Sequence, residues 1–459
     1  MTSTPDSYVP DHASYPVLAP ATVGTDILRP TPYQLAWQNA GLGVFFHFGI
    51  NTFHGKEWSD GSLPAGSFDP SDLDADQWAR TAAGLGAKYV ILTAKHHDGF
   101  CLWPTATTDY SVASSPFRGG DGDVVREFTE AARRHGLRVG LYLSPWDRHE
   151  PRYPDAAAYD EFYLAQLREL CTDYGELFEI WFDGAGSAGR TYDWDRIGEV
   201  IGELQPQAMV FNMGPATIRW VGNENGLAAD PCEYVTTNAD LNNYDEDTIE
   251  LAQARYLPPE CDVSLRRGWF WQPGEEPKSV EHLLAIHDAS IGLGANLLLN
   301  IPPDRRGQID PADAARVAEF REALDARFGE PVAAEIEPAG TDPAGTVSYR
   351  VTLPRAMRVD HVELREDIAS GQRVTGHSVL VPGDGSTGAE DRPEVLVEAG
   401  TIGVRRIHRL DEPREVDQLV VQLRGRAPVL AEVLVYDAEG APVPALPGDY
   451  EAPTDAPID

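Results

Sequence analysis

Cysteine is scarce in this chain of 459 residues, which holds only Cys101, Cys171, Cys232 and Cys261. No two of them form a C-x-x-C pair, so neither a disulfide framework nor a zinc site of familiar spacing is expected. Basic residues are also few: 37 Lys and Arg stand against 73 Asp and Glu, a formal net charge of −36. Such a charge repels phosphate backbones and anionic bilayers, which removes nucleic acid and membrane surfaces as expected partners. The acids are scattered rather than blocked together, as on a solubilising surface. No apolar run approaches the roughly 18 residues that span a bilayer. Met1 to Pro20 shows no basic patch followed by an apolar stretch, so the expectation is a cytoplasmic protein with reduced thiols and no secretory signal.

What is present fits a packed globular protein. Hydrophobic residues make up 42% of the chain and there are 10 tryptophans, more aromatic content than a disordered chain carries. The length suits a barrel of roughly 250–400 residues with an accessory module.

From about Gly41 to Phe328, short apolar runs alternate with longer amphipathic ones. Expected strands are Gly43–Phe48, Lys88–Thr93, Arg138–Leu143, Phe178–Phe182, Ala208–Asn212, Asp262–Leu265 and Ala295–Ile301; several are almost continuously apolar, as strands buried on both faces are. Expected helices are Ser71–Leu85, with Ser71 as its cap, Asp123–His135 before Gly136, Ala156–Tyr174 before Gly175, and Ser279–Ile291. The succession predicts an α/β fold, a (β/α)8-like barrel. Seven strands are identified and the eighth is not, which leaves a degenerate barrel open. After Gly329 short strands follow between Gly, Pro and Asp turns: Val332–Ile336, Thr346–Thr352, Val359–Leu364, Ser378–Val381, Val395–Ala399, Gln418–Leu423 and Val429–Tyr436. These predict a C-terminal β-sandwich. The domains are therefore 1–330, catalytic, and 331–459, a sandwich ending in a loose tail from about Pro444.

Side chains at the C-terminal ends of barrel strands share one mouth. Here they are His47, the run Lys95-His96-His97-Asp98, Trp146 with Asp147, and Asp183, while Glu57 and Trp58 sit in the loop after the first strand. Asp183 follows Ile180-Trp181-Phe182 and precedes Gly184, a position for either a nucleophile or a turn aspartate. Trp181 shares its side of the strand and is read either as an aromatic face for a sugar or as core. His47, His96 and His97 suit hydrogen bonding to hydroxyls; a metal set is the competing reading, although no helical H-x-x-x-H pair is present. Arg266, with Trp269 three residues on, suits polyol recognition or an ordinary salt bridge.

Taken together, FFHFGINTF, GKEWSDG, YVILTAKHHDGFCLW, GLYLSPWD, EIWFDGAG, RWVGNENG, PPECDVSLRRGWFW and GANLLLNIPPDRRGQI resemble glycoside hydrolase family 29, the α-L-fucosidases. The resemblance spans essentially the whole barrel, and a C-terminal sandwich is usual there. It implies Asp183 as nucleophile and a fucose pocket lined by His47, Glu57, Trp58, His96, His97, Trp181 and Arg266. RWVGNE resembles the α-1,3/1,4-specific subfamily, which implies Glu224 as acid/base; Glu260 in PPECDVS is the competing position. Arg267 stands where the family pattern has proline. The implied reaction is retaining hydrolysis of terminal fucose from a fucosylated oligosaccharide or glycoconjugate, with no cofactor and no metal. An apolar wall for the fucose methyl is expected from Phe45, Phe270 or Trp271. The rival readings are an exo-glycosidase for another L-sugar such as an α-L-galactoside, a non-catalytic carbohydrate-binding protein, and a metal-dependent hydrolase using His47, His96 and Asp98.

Overall fold

The computed structural model describes residues 27–239, 249–383 and 393–447. The expectations for Met1–Pro20 and for the tail beyond Pro447 lie outside the described residues. Eight parallel strands form the first unit: β1 Leu42–Phe46, β2 Tyr89–Lys95, β3 Arg138–Leu143, β4 Glu179–Trp181, β5 Met209–Phe211, β6 Arg219–Trp220, β7 Pro259–Ser264 and β8 Asn296–Asn300. Their hydrogen-bonded order is β5-β4-β3-β2-β1-β8-β7-β6. One parallel bridge, Phe211 to Ile218, brings the two end strands together, so the sequence order runs once around a closed (β/α)8-like ring.

The near-continuous apolar strands follow from this closure. Alternate side chains fill the barrel or pack on the surrounding helices. Phe45, Tyr89, Ile91, Tyr142, Trp181, Phe211 and Leu298 form the inner cluster. Val44, Phe46, Val90, Leu92, Leu141 and Ile180 belong to the outer core, with helix residues such as Trp78, Phe128 and Leu167.

Among the described residues, six longer helices surround the strands: Ala75–Leu85, Val124–Arg134, Ala156–Asp173, Trp194–Leu204, Val280–Ala289 and Pro311–Phe328. Each begins at an Asp or Ser whose side chain accepts a backbone N–H of the first turn, a cap that contributes about 1 kcal/mol. The first helix starts later than expected, at Asp74 rather than Ser71. Its preceding residues pair instead with the loop after β8, Asp72 N with Arg306 O and Asp74 N with Gly307 O. Gly136 and Gly175 take the left-handed φ of 72° and 76° that ends a helix.

The strand missing from the sequence reading is β6. Two half-buried residues are too short to show any period. Among the described residues no helix follows β5 or β6; the hairpin Val235–Ala239 with Ile249–Tyr256 occupies the second link. The barrel is degenerate there. Strand β7 also starts three residues before the expected Asp262, because Glu260 is an inward carboxyl with internal partners rather than a loop residue.

In the C-terminal β-sandwich, two 20-residue strands, Val347–Glu366 and Arg406–Gly425, run through both layers. The first half of Val347–Glu366 pairs with Glu335–Thr341 and its second half with Leu430–Tyr436. The expected separate strands Thr346–Thr352 and Val359–Leu364 are thus halves of one bent strand. Its register shifts between Thr352 and Met357, where Pro354 cannot donate to the ladder. Val351, Val362, Leu364, Val421, Leu423, Val433 and Val435 fill the space between the layers. Among the described residues no helix is long and apolar enough to cross a membrane.

Candidate active site

Asp183 stands two residues past β4, half-buried at the barrel mouth. Its Oδ2 accepts the Tyr142 hydroxyl at 3.0 Å and lies 3.4 Å from His97 Nε2; Oδ1 accepts the Ala185 N–H at 2.9 Å. Burial alone would raise its pKa. The His97 charge and hydrogen bond, the Ala185 amide and the Tyr142 hydroxyl outweigh burial and hold the carboxyl below its usual range. His97 is oriented from behind. Ser144 Oγ donates to Trp146 O at 2.6 Å, so it accepts from His97 Nδ1 at 2.7 Å, which leaves Nε2 for Asp183.

The tautomer of His47 is fixed by Asn300. The Asn300 amide nitrogen donates to Ser264 Oγ and Trp269 O at 2.9 and 2.8 Å. Its oxygen therefore accepts His47 Nδ1–H at 2.9 Å. Burial drives the His47 pKa down to about 3, so the ring is neutral, with a lone pair on Nε2 suited to accept a hydroxyl proton. His96 is likewise buried and neutral, its pKa well below the ordinary value because of burial and the neighbouring His97 and His47. It stacks at 5.6 Å on Tyr142, and its Nδ1 has no hydrogen-bond partner among the described residues.

Aromatic rings complete the rim. Trp58 meets His97 and Trp146 edge-on at 5.3 and 5.6 Å. Trp269 lies 4.9 Å from His47, and its Nε1 donates to Glu224 Oε2 at 3.2 Å. Glu224 is thus connected to the histidine side of the mouth through Trp269. The loop carrying Trp269 is tied down by Glu57, which accepts Trp269 N, Phe270 N and Gln272 Nε2 at 2.8, 3.3 and 3.0 Å. Gly268 is needed for this approach: a Cβ there would sit 2.3 Å from Glu57 Oε1.

Three expected residues take different positions from those anticipated. Arg266 is 2% exposed, and its guanidinium engages Asp313 at 2.7 Å, Asp310 at 3.5 Å and the Gln272 and Glu275 carbonyls. Having met these partners, it braces the Trp269 loop from outside. Trp181 is only 5% exposed, stacked at 3.9 Å on Phe211, and its Nε1 donates to Glu260 at 3.1 Å; it is inner core beneath Asp183 rather than an open sugar face. Glu260 itself is fully buried, accepting Tyr89 Oη at 2.6 Å.

Lys95 and Asp147 form a buried pair at 3.0 Å that ties β2 to the loop after β3. Asp98 is buried and accepts Asn51 Nδ2 and Phe100 N. Among the described residues, His, Cys, Asp and Glu ligand atoms gather within 4.8 Å of one another at His96, His97 and Asp183, not at His47, His96 and Asp98. The sequence reading missed Tyr142, Ser144 and Asn300. Tyr142 lay inside a strand buried on both faces, where nothing local marks which side chains face the barrel interior.

A closed barrel whose mouth gathers two carboxyls, three histidines and exposed indole edges defines a glycoside hydrolase. The family profile for α-L-fucosidase matches residues 63–326. A rice (Oryza sativa subsp. japonica) relative bearing that family name is 40% identical over 403 residues, 86% of this chain and 74% of its own. α-L-Fucosidase 1 of Arabidopsis thaliana is 44% identical over 313 residues, 66% of this chain and 62% of its own. The solved structure of a Ruminococcus gnavus GH29 fucosidase in complex with fucose is 28% identical, superposes with a TM-score of 0.79, and is covered over 97% of its chain and 92% of this one. The chain belongs to the α-L-fucosidases, glycoside hydrolase family 29.

Proposed function

We propose that this α-L-fucosidase acts by a retaining, exo mechanism on terminal α-1,3- and α-1,4-linked L-fucose of oligosaccharides or glycoconjugates, with Asp183 as nucleophile and Glu224 as acid/base. The observation that carries this reading is the environment of Asp183: the His97 imidazole, the Tyr142 phenol and the Ala185 N–H all favour its ionised form against burial. The linkage preference rests on the RWVGNE string around Glu224. Residues 1–330 are the catalytic unit and 331–459 a brace, supported by the contacts of Arg406 with Asp230 and of Gln372 with Tyr234 N.

A glycosidic bond resists water because the leaving alkoxide is poor and positive charge must develop at the anomeric carbon. In the first step Asp183 Oδ bonds to that carbon while Glu224 gives its proton to the departing oxygen. In the second, Glu224 takes a proton from water as the water oxygen displaces Asp183, restoring the starting configuration. His47 and His96 hydrogen-bond the fucose hydroxyls, His97 holds Asp183 at the pocket floor, and Trp58 and Trp269 flank the ring. Glu57, Arg266 and Trp181 hold these groups from behind. Phe270 lies edge-on to His47 and His96 at 5.5 and 5.0 Å but is fully buried, so it backs these histidines rather than meeting the fucose methyl. Phe45 is beneath in the core, and Trp271 is turned to Asp310. One methyl contributes only about 0.8 kcal/mol, so selection against galactose-like sugars falls mainly to the polar groups.

The test is turnover of α-1,2-, α-1,3- and α-1,4-fucosylated oligosaccharides side by side, with NMR of the first-formed sugar. Hydrolysis of the latter two, releasing α-L-fucose first, is expected. Preference for the α-1,2 linkage contradicts the linkage reading, and β-L-fucose as first product contradicts retention.

A further inference from the structure

His96 and His97 follow β2 directly and Asp183 stands two residues past β4, so β3 alone separates the histidines from the carboxylate around the ring. Ligand atoms of the three lie within 4.8 Å of one another. Within this set His97 Nε2 is 3.4 Å from Asp183 Oδ2. That is long for a charge-assisted hydrogen bond, which runs about 2.7–2.9 Å. It matches the edge of a small tetrahedron: two ligand atoms each about 2.0–2.1 Å from a zinc ion stand about 3.3–3.4 Å apart.

Both members of this pair are supported from behind, as metal ligands are. His97 donates its far N–H, at Nδ1, to Ser144 Oγ at 2.7 Å, and Ser144 is fixed in turn by Trp146 O. Nε2 is thereby aimed at the carboxylate. Asp183 Oδ1 accepts the Ala185 N–H, and Oδ2 accepts the Tyr142 hydroxyl with one lone pair, which leaves it a second. His96 supplies the third donor. Its ring is 7% exposed, lies 4.2 Å from the ring of His97 and stacks on Tyr142. Its Nδ1 has no hydrogen-bond partner among the described residues, so no bond there opposes the small turn that closes the set from at most 4.8 Å to a tetrahedral edge of about 3.3 Å.

We propose that His96, His97 and Asp183 form a binding site for a divalent transition-metal ion, with Zn2+ as the type ion, and that the ion inhibits the enzyme by occupying the nucleophile. The inference rests on the reading of Asp183 as nucleophile and of His96 as a hydroxyl contact. Two imidazoles and one carboxylate, with a fourth position left to water, are a donor set that zinc takes from three protein ligands. Mg2+ and Ca2+, which require six or more oxygens, find a single carboxylate here. A proton carried on His97 Nε2 is released to solvent when the ion binds. The bound ion takes the Oδ2 lone pair and the His96 nitrogen, so metal and fucose exclude one another.

The experiment is inhibition of the untagged full chain by ZnCl2 in a non-chelating buffer, with a nitrophenyl fucoside as substrate, paired with calorimetric titration of Zn2+ into the free enzyme. One ion per chain is expected, displaced by L-fucose and removed by EDTA with return of activity. Inhibition should be competitive, raising KM and leaving kcat, while Mg2+ at the same concentration leaves both. By calorimetry His96→Ala and Asp183→Ala should each weaken the site. Ser144→Ala, which strips the acceptor behind His97, should weaken it by about ten- to hundredfold. No binding at millimolar Zn2+, non-competitive inhibition, or a site that survives both His96→Ala and Asp183→Ala overturns the proposal. The competition between Zn2+ and L-fucose on the wild-type chain decides the matter if a variant fails to fold. Azide rescue of Asp183→Gly separates the two readings. Rescue, with no zinc site in the wild type, means that the metal inference alone has failed; a zinc site lost in Asp183→Ala, with no rescue, means that the nucleophile reading has failed.

Discussion

His97 Nε2 and Asp183 Oδ2 stand 3.4 Å apart, with His97 fixed from its far nitrogen by Ser144. Burial of Asp183 opposes its ionisation, and His97 is the largest of the groups that reverse the balance. Its folded pKa is therefore depressed, and the active ionised form is lost only as pH falls through that low value. In His97→Ala, burial is opposed by Ala185 N–H and Tyr142 alone, so the pKa rises. The acid limb of kcat/KM is expected to move up by about one pH unit with the alkaline limb in place. A pH–rate profile with an unshifted acid limb would contradict the electrostatic role of this histidine.

Asp183→Gly removes the carboxylate proposed to bond to the anomeric carbon and leaves room for a small anion. Hydrolysis should fall by at least about a thousandfold, since the covalent route is closed. Azide should restore turnover as the inverted fucosyl azide, identified by NMR. Near-wild-type hydrolysis without azide would remove Asp183 from the reaction.

The barrel was legible because its strands are buried on both faces, so apolar runs such as VILTA and GLYL stand out with no alternation to interpret. The mouth was legible for a related reason: polar residues directly after such runs have only one place to go. What escaped were features set by distant partners. Arg266 finds Asp313 47 residues away on the helix Pro311–Phe328, and nothing local distinguishes that ion pair from a sugar contact. Lys95 and Asp147 were read with the mouth, yet their mutual contact and Gln166 Oε1 bury both. Glu260 carries no local sign of the carboxyl of Glu179 or of the Tyr89 hydroxyl that meet it in the barrel interior. Ser71 and Asp74 are equally good caps in sequence, and only the loop after β8 decides between them.

Glu57→Ala tests whether the Trp269 loop is held rather than merely present. The substitution strands two backbone N–H groups and the Gln272 amide. Each unsatisfied donor costs about 1–3 kcal/mol if it stays buried, so the loop should open instead of remaining in place. The expected result is a modest fall in thermal midpoint with a large rise in KM and a fall in kcat, because Trp269 carries both the pocket edge and the contact to Glu224. A variant with normal KM would mean that the loop keeps its shape without this carboxylate.

Glu224 and Glu260 are separated by what surrounds them. Glu260 lies inside the barrel, accepting from Tyr89 and Trp181 and sharing a hydrogen bond with Glu179, with burial raising both carboxyls. Its loss should unseat Trp181, lower stability, and slow every substrate alike. Glu224 is half-buried at the mouth beside Trp269, where a proton can reach a leaving oxygen. General acid catalysis contributes about a hundred- to ten-thousandfold, and most where the leaving group is poor. Glu224→Ala should therefore cut turnover of a fucosylated oligosaccharide by at least about a hundredfold and that of a nitrophenyl fucoside far less, in the bond-breaking step. The reverse pattern, with Glu260→Ala selective for the poor leaving group and Glu224→Ala indifferent to it, would transfer the acid to β7 and require Trp181 to move aside during catalysis.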